Sequence, residues 1–232
     1  MLLLYGSPKV GKTTKLAELP NCLIIDNEKG TDFVRALKIQ VSSATEWELL
    51  CLELKKKPMM YDYIAVDTIS TLEDWAERVA LLDYKASPTG KNFAGSNILH
   101  LANGGGYLWL RLAFKRLIEG LSGTTRTIIL VAHLREKMLE SNGKEVSVKD
   151  IELTGKLRSI VSGMADAVGY IYRQSADDKL RITFKTSENV LCGSRCAHLK
   201  GQDMEFDWAN IFKHGKAADA VKMGSGSISN VP

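Results

Sequence analysis

The chain alternates short apolar runs with longer amphipathic segments over most of its length. Its most apolar runs have the length of buried strands and are Leu2–Tyr5, Cys22–Asp26, Tyr61–Asp67 and Thr127–His133. Segments with helical spacing lie between them, namely Lys12–Leu19, Thr45–Lys57, Ser70–Tyr84 and Tyr107–Leu121. Apolar strands that alternate with helices indicate a parallel sheet covered on both faces. The predicted fold class is therefore α/β, a mostly parallel central sheet with helices on both faces.

Local signals predict where several elements begin and end. Pro58 ends the second helix because proline cannot continue it. Thr45, with Glu48 three residues later, fits a capping box and predicts the start of that helix. Two polar segments, Lys85–Gly106 and Arg135–Gly155, are long for connections inside a compact domain. We expect both to be mobile or functional loops.

The last part of the chain has a different pattern. Ala167–Arg173 and Leu180–Lys185 look like two strands joined by a tight turn, which predicts a short β-rich C-terminal extension of the core. The end of the sequence is rich in Gly and Ser, as flexible tails are. We expect one domain over residues 1–212 and a flexible tail over residues 213–232.

The composition is that of an ordinary globular protein. Of the 232 residues, 45% are hydrophobic and 25% are charged, which suits one sizeable α/β domain. No apolar run approaches the roughly 20 residues that cross a bilayer. The opening residues also lack the basic segment typical of a signal peptide. We therefore expect a cytoplasmic protein without a membrane partner.

The charge balance permits a polyanionic partner but does not require one. The chain carries 31 Lys and Arg against 27 Asp and Glu, a net charge of +4. The stretch from Tyr107 to Lys137 is more basic. Its bases are Arg111, Lys115, Arg116, Arg126, Arg135 and Lys137, and its acids are Glu119 and Glu136.

The cysteines suggest buried thiols more than a metal site. Cys22 and Cys51 lie in apolar stretches, where a free cysteine behaves as a small core residue. Cys192, Cys196 and His198 form a C-x3-C-x-H cluster that would supply half a zinc site. Because no second cysteine pair completes it, we expect reduced thiols on a hairpin, with zinc as the alternative.

A phosphate-binding loop follows the first strand. Residues 6–13 read Gly-Ser-Pro-Lys-Val-Gly-Lys-Thr and match G-x-x-x-x-G-K-[ST] between a predicted strand and a predicted helix. The glycines let backbone N–H groups point at the phosphates, Lys12 reaches the β- and γ-phosphates, and the Thr13 hydroxyl ligates Mg²⁺. The predicted nucleotide-binding residues are Gly6, Ser7, Pro8, Lys9, Val10, Gly11, Lys12, Thr13 and Thr14. The motif therefore predicts a site for a nucleoside triphosphate with Mg²⁺.

Asp67 is the second candidate for the metal. It ends a predicted buried strand, and the carboxyl ends of parallel strands are where α/β sheets bind ligands. A carboxylate there can hold Mg²⁺ directly or through water. The alternative is that Asp67 is the N-cap of the following helix.

Glu28 and His133 also follow or end predicted strands. Glu28 lies two residues past Cys22–Asp26, where a carboxylate can polarise an attacking water. It could equally be a solvated side chain in a polar turn. His133 could donate a hydrogen bond to the γ-phosphate, although a single histidine is often structural.

The order of these features resembles the RecA recombinase core. The features are a P-loop, a strand ending Asp-x-Glu, a strand ending in Asp and followed by Thr, and a later strand ending in a polar residue. More specifically, the chain resembles the short phage-encoded RecA-like ATP-binding proteins of single-strand annealing and recombination. The resemblance covers residues 1–208.

This resemblance implies an ATPase that uses ATP and Mg²⁺. It implies that Glu28 is the catalytic base, that Asp67 is the acid associated with Mg²⁺, and that His133 is the γ-phosphate sensor, although the sensor of RecA itself is a glutamine. It also implies binding of single-stranded DNA through the segments Lys85–Gly106 and Arg135–Gly155. A single-stranded-DNA-binding protein is a further possible partner.

The resemblance further implies self-association, as a filament or a ring, with the nucleotide between subunits. In such assemblies a neighbouring subunit supplies a cation to the γ-phosphate. Arg195 is the first candidate because a guanidinium can contact two phosphate oxygens, and Lys200 is the second. RecA relatives carry segments ahead of the core that link protomers. Since this sequence begins at the first core strand, we expect other surfaces to be used.

Two other functions remain open at the level of sequence. One is a P-loop kinase of a small molecule or nucleotide. The other is a nucleotide-dependent accessory protein of replication that does not hydrolyse its nucleotide. A water-activating Glu28 favours hydrolysis over transfer to a bound acceptor.

Overall fold

A computed structural model of the protein describes residues 1–31, 33–141 and 144–212. These residues form a mixed sheet covered by helices. The predicted tail, residues 213–232, lies outside the described residues.

The central part of the sheet is parallel, as predicted. In spatial order its strands are β3 (Lys38–Gln40), β2 (Cys22–Asp26), β4 (Tyr63–Asp67), β5 (Thr127–Ser141), β1 (Leu2–Gly6) and β7 (Ala167–Arg173). Every neighbouring pair in this series is parallel. The α/β fold class is therefore confirmed.

The C-terminal extension adds antiparallel strands at one side of the sheet. β8 (Leu180–Thr183) pairs with β7, and β10 (Asp203–Glu205) pairs with β8. A two-residue strand, β9 (Gly193–Ser194), also pairs with the start of β7. The predicted turn after β7 is thus a β-hairpin on the far side of β1 from β5.

The helices lie on both faces because the strands are apolar on both faces. They are α1 (Lys12–Ala17), α2 (Ala44–Lys56), α3 (Ile69–Ala86), α4 (Gly106–Glu119), α5 (Leu157–Met164) and α6 (Trp208–Ile211). Side chains of β1 alternate between two cores: Leu3 and Tyr5 belong to one, and Leu2 and Leu4 to the other. Burial on both faces explains why the strand sequence is apolar throughout rather than alternating.

The two long polar segments contain more regular structure than predicted. In the described part of the second segment, β5 continues to Ser141 and pairs antiparallel with β6 (Lys144–Ile151), so the two strands form a β-hairpin. The prediction of a loop there was wrong. This hairpin is held by cross-strand pairing, and its polar composition does not reveal the two strands. The segment after α3 holds two short 3₁₀ helices, Ile98–His100 and Ala102–Gly104.

The start of α2 corrects the predicted cap. The N-cap is Ser43, whose side chain accepts a hydrogen bond from the Glu46 N–H at 3.2 Å. The Glu46 carboxylate accepts from the N–H and hydroxyl of Ser42, both at 2.8 Å. Thr45, the predicted cap, lies inside the helix. The same four-residue spacing begins two residues earlier, and the sequence alone offers both registers.

Among the described residues, no helix has both the length and the apolar character needed to cross a membrane.

We expect Ser43→Ala to lower the free energy of unfolding by about 1 kcal/mol, because one N–H at the start of α2 loses its acceptor. Thr45→Ala serves as the control, since Thr45 is exposed and alanine has the higher helix propensity. Urea titrations of the two variants give the comparison. A larger loss for Thr45→Ala would restore the predicted cap.

Candidate nucleotide-binding site

Strand register brings the predicted site residues to one edge of the sheet. Asp26 of β2 is paired with Asp67 of β4, and Gly6 of β1 is paired with His133 of β5. These residues end their strands or lie near the ends, at the carboxyl edge of parallel strands, where α/β sheets form ligand sites. Residues distant in sequence therefore meet at one place.

The P-loop wraps tightly at this edge. Gly11 has φ of 117°, a conformation that L side chains rarely adopt. A Cβ at Gly6 would lie 2.5 Å from the carbonyl oxygen of Ile171 on β7. Glycine is thus required at both fixed positions of the motif, once for backbone conformation and once for close packing of neighbouring strands.

Lys12 is held inside the loop. Only 7% of its surface is exposed, and its Nζ donates to the carbonyl oxygens of Gly6 at 2.8 Å and Ser7 at 2.9 Å. Burial lowers the pKa of the ammonium, while the charges of Asp67 and Glu28 oppose that shift. A buried cation aimed into the P-loop is suited to a polyanionic ligand.

Thr13 and Asp67 meet directly. The Thr13 hydroxyl donates to Asp67 Oδ2 at 2.6 Å, and Asp67 is 7% exposed. Burial raises the pKa of Asp67, and the hydrogen bond from Thr13 opposes this shift. The N-cap of α3 is Thr68 and not Asp67, so the capping alternative for Asp67 is wrong. Hydroxyl and carboxylate oxygens are the hard donors that Mg²⁺ prefers, and these two fit it.

The turn that carries Glu28 is fixed by Asp26. The buried Asp26 carboxylate accepts hydrogen bonds from the N–H groups of Glu28, Gly30 and Thr31 and from the Thr31 hydroxyl. Burial opposes ionisation of Asp26, but these hydrogen bonds outweigh it and hold its pKa below the ordinary value. The turn after β2 is therefore anchored and not a freely solvated loop.

The Glu28 carboxylate contacts two other residues of the site. Its Oε1 accepts from the Thr68 hydroxyl at 2.6 Å, and its two oxygens lie 3.0 and 3.2 Å from His133 Nε2. The hydrogen bond with His133 is the main reason that the pKa of Glu28 is lowered. Glu28 is separate from the Thr13–Asp67 pair, so the site holds carboxylates in two different environments.

The contact with Glu28 also shifts the pKa of His133. Its hydrogen bond to Glu28 raises the pKa of the imidazole, and burial opposes the shift. Among the described residues, its buried Nδ1 has no hydrogen-bond partner. His133 also stands where β5 leaves the central sheet, one residue before the hairpin pairing begins at Leu134. The ring therefore links the site to the base of the hairpin.

A cavity of about 400 Å³ collects these groups. It is lined by Pro8, Lys9, Gly11, Lys12, Thr13, Thr14, Asp26, Glu28, Gly30, Val34, Asp67, Thr68 and His133. A larger cavity of about 460 Å³ lies at the opposite edge of the sheet and includes none of them. The chemistry of the lining, and not the size, marks the smaller cavity as the site.

Arg195 is not part of this cluster. It follows β9 at the amino edge of the sheet, where its Nη2 donates to the Gly163 carbonyl at 2.8 Å and its Nη1 lies 3.8 Å from Asp166. Lys200 is exposed on the same segment. Both are thus remote from the P-loop of their own chain.

The cysteine cluster is also apart from the site. The Cys192 thiol donates to the Lys185 carbonyl at 3.0 Å, and His198 Nε2 lies 3.0 Å from the Ile211 carbonyl. In the described part of the chain, no group of three or more potential ligands is arranged for a metal ion. Cys22 and Cys51 are free and buried, as predicted.

Sequence reasoning missed the residues that position the site. Asp26 and Thr31 anchor the Glu28 turn, and Thr68 holds the Glu28 carboxylate. A signal existed for Asp26, because it ends a buried strand as Asp67 does. Thr68 entered the sequence pattern only as the residue after Asp67, and its contact with Glu28, 40 residues away, could not be read from that pattern.

A parallel α/β sheet with a P-loop and a Thr–Asp pair at its carboxyl edge defines the P-loop class of nucleotide-binding folds. The sequence model of the family described as "AAA domain" matches residues 1–196. The chain therefore belongs to this family.

One similar solved structure is described as "Crystal structure of the RadB recombinase". Its sequence identity is 12% and its TM-score is 0.44, over 90% of this chain and 87% of that chain. No curated protein matches the chain.

The Glu28–His133 pair predicts a pH dependence of stability. The lowered pKa of Glu28 stabilises the fold above the ordinary glutamate pKa, and this contribution is lost as pH falls through the lowered value. The raised pKa of His133 stabilises the fold below the ordinary histidine pKa, and this contribution is lost as pH rises through the raised value. Both contributions are present between about pH 4.5 and pH 6.5.

We therefore expect His133→Asn to lower the melting temperature most near pH 6 and progressively less as the pH rises through the raised pKa of His133. Thermal unfolding at several pH values measures the difference from the unaltered protein. His100→Asn, which changes an exposed histidine outside the site, is the control. A difference that does not vary with pH would show that the pair is not ionic.

Proposed function

We propose that this protein is a RecA-like ATPase that binds ATP with Mg²⁺ at the carboxyl edge of its sheet and hydrolyses the γ-phosphate. The supporting observation is the position of Glu28, whose carboxylate lies beside the P-loop cavity but outside the Thr13–Asp67 pair. Metal binding and water activation are then assigned to different carboxylates, an arrangement that suits hydrolysis.

Each residue of the site has a separate proposed role. Backbone N–H groups of the P-loop other than Pro8, which has none, and the Lys12 ammonium would bind the phosphates, and Thr13 and Asp67 would hold Mg²⁺. When bound, Mg²⁺ supplies charge neutralisation at the phosphate oxygens. Glu28, oriented by Thr68, accepts the proton of the attacking water.

His133 would serve as the γ-phosphate sensor. Its Nε2 already faces the cavity and contacts Glu28. A γ-phosphate placed beside Glu28 would compete for the same imidazole N–H, because one N–H cannot be directed fully at two acceptors. The position of the histidine ring would therefore depend on whether the terminal phosphate is bound.

We propose single-stranded DNA as the macromolecular partner, in annealing or recombination, with a single-stranded-DNA-binding protein as a second partner. The support is the β5–β6 hairpin. Arg135 and Lys137 share one face with their cross-strand partners Asp150 and Val148. Among the described residues, neither base forms an ion pair. The opposite face carries Glu136, Glu140 and Glu145, so only one face suits a phosphate backbone.

We also propose self-association, as a ring or filament, in which Arg195 of one subunit reaches the γ-phosphate bound by the next. Arg195 lies at the amino edge of the sheet and the P-loop at the carboxyl edge. A head-to-tail contact between copies would bring these two edges together. Lys200 on the same segment is the alternative cation.

The central test compares two substitutions at the nucleotide site. We expect Lys12→Ala to abolish ATP binding, because the buried cation of the P-loop is lost. Glu28→Gln should keep ATP–Mg²⁺ binding and slow hydrolysis by roughly 10²-fold or more, since only basicity is removed. Nucleotide binding is measured by calorimetry and turnover by phosphate release, with Glu53→Gln on the exposed side of α2 as the control.

An unchanged hydrolysis rate in a folded Glu28→Gln protein would remove the proposed base. A fall in binding equal to the fall in turnover would instead assign Glu28 to the metal site. Phosphate transfer to an acceptor without release would indicate a kinase.

The hairpin test neutralises one face. We expect Arg135→Gln/Lys137→Gln to weaken single-stranded DNA binding and to reduce the salt slope of affinity by about one for each phosphate that the variant no longer neutralises. Lys149→Gln is the control, because Lys149 lies on the other face with its Nζ 5.2 Å from the centre of the Tyr170 ring. Fluorescence anisotropy over a salt series measures both quantities. Equal effects of the two variants would argue against the assigned face.

The assembly test mixes two inactive proteins. Arg195→Ala should lower turnover without loss of folding, and mixing it with Lys12→Ala should restore part of the activity. Recovery is expected because a mixed interface can pair an intact P-loop with an intact Arg195. Co-assembly is verified independently by light scattering. If co-assembly occurs and no mixing ratio restores activity, Arg195 does not act between subunits.

A further inference from the structure

The hairpin formed by β7 and β8 lies directly against the P-loop. Arg173 ends β7 and is paired with Leu180, which begins β8. A Cβ at Gly11 would lie 3.4 Å from Leu180 Cδ2 and 3.6 Å from Arg173 Nη2. The guanidinium of Arg173 and the methyl groups of Leu180 therefore lie close to Gly11, the P-loop residue immediately before α1.

This hairpin lies on the side of β1 that the acidic residues do not occupy. In the sheet, β5, β4 and β2 follow β1 on one side, and β7 and β8 follow it on the other. Asp67, Glu28 and His133 all belong to the first side. The β7–β8 hairpin therefore lies on the side of β1 opposite the residues proposed for the terminal phosphate and the metal, which leaves this side for the nucleoside.

Contacts within the hairpin fix the orientation of Arg173. Its Nη1 donates to the Asp178 carbonyl at 2.7 Å and lies 3.2 Å from Asp178 Oδ2. The side chain of Arg173 is still 44% exposed. An arginine that is held through one nitrogen and remains partly exposed can stack its planar guanidinium on a flat aromatic ring. The partly buried Leu180 beside it offers an apolar contact to the same ring.

We infer that Arg173, oriented by Asp178, stacks on the base of the bound nucleotide, and that Leu180 packs beside it. The β7–β8 hairpin is then the nucleoside end of the site, and the larger stacking surface of a purine makes purine nucleotides the favoured ligands. This inference rests on the proposed nucleotide-binding function and adds to it the residues that recognise the base.

The test separates the base from the phosphates. We expect Arg173→Ala to raise the dissociation constants of ATP and ADP by the same factor, about five- to tenfold. The affinity for inorganic triphosphate, which has no base, should remain that of the unaltered protein. Arg173→Lys keeps the charge without the planar group and should also weaken ATP binding. Titration calorimetry with Mg²⁺ present measures all three ligands.

Lys179→Ala is the matched control, because Lys179 is an exposed cation on the same hairpin that pairs with Glu205 and not with the P-loop. It should leave ATP binding unchanged. Equal loss of triphosphate and ATP affinity in Arg173→Ala would show that the guanidinium contacts phosphate, and unchanged ATP affinity would show no contact; either result overturns the inference. Failure of the unaltered protein to bind ATP at all would instead overturn the proposed function, and the inference with it.

Discussion

The parallel register of the central strands is the constraint on which the site depends. Because β1, β2, β4 and β5 run in the same direction, their carboxyl ends meet at one edge. Gly6, Asp26, Asp67 and His133 come from four different strands, yet they surround one cavity or its loop. Alternate side chains of each strand fill two different cores, so a slip by one residue would place each side chain in the core that it does not fit.

The electrostatics of the site follow from where each carboxylate lies in that frame. Asp67 is buried at a strand end, and burial raises its pKa. Glu28 lies farther out, and its hydrogen bond with His133 lowers its pKa. When the environment raises the pKa of one carboxyl group and lowers that of another, the two groups usually have different roles in a site. The buried Lys12 ammonium lies near both, so the edge combines one cation and two unlike acids in a small volume.

β5 joins the site to the surface that we propose for DNA. The strand passes from the central sheet through His133 and continues without interruption to Ser141 in the hairpin. The β7–β8 hairpin bounds the P-loop from the other side of β1. The β5–β6 hairpin thus begins beside His133, which we propose for the γ-phosphate, and the β7–β8 hairpin carries the residues inferred for the base. A single sheet positions both.

The sequence by itself determined the local chemistry and the fold class. The P-loop is contiguous, so its glycines, Lys12 and Thr13 are recognisable without any tertiary contact, and apolar strands that alternate with helices predict the parallel sheet. Asp67 and Glu28 were found because they end or follow such strands. The structure of polar segments was less predictable: the cap of α2 is Ser43 and not Thr45, and β5 and β6 pair as a hairpin.

Only the tertiary structure decided which of these groups touch. The contact of Glu28 with Thr68 spans 40 residues and its contact with His133 spans 105, and no local pattern encodes such pairs. The same holds for the approach of Arg173 and Leu180 to Gly11, and for the position of Arg195 at the opposite edge of the sheet. Local sequence fixes what a residue can do, because propensity and motif chemistry act over a few neighbours. Strand order and register fix what it meets, because they are set by the packing of the whole sheet.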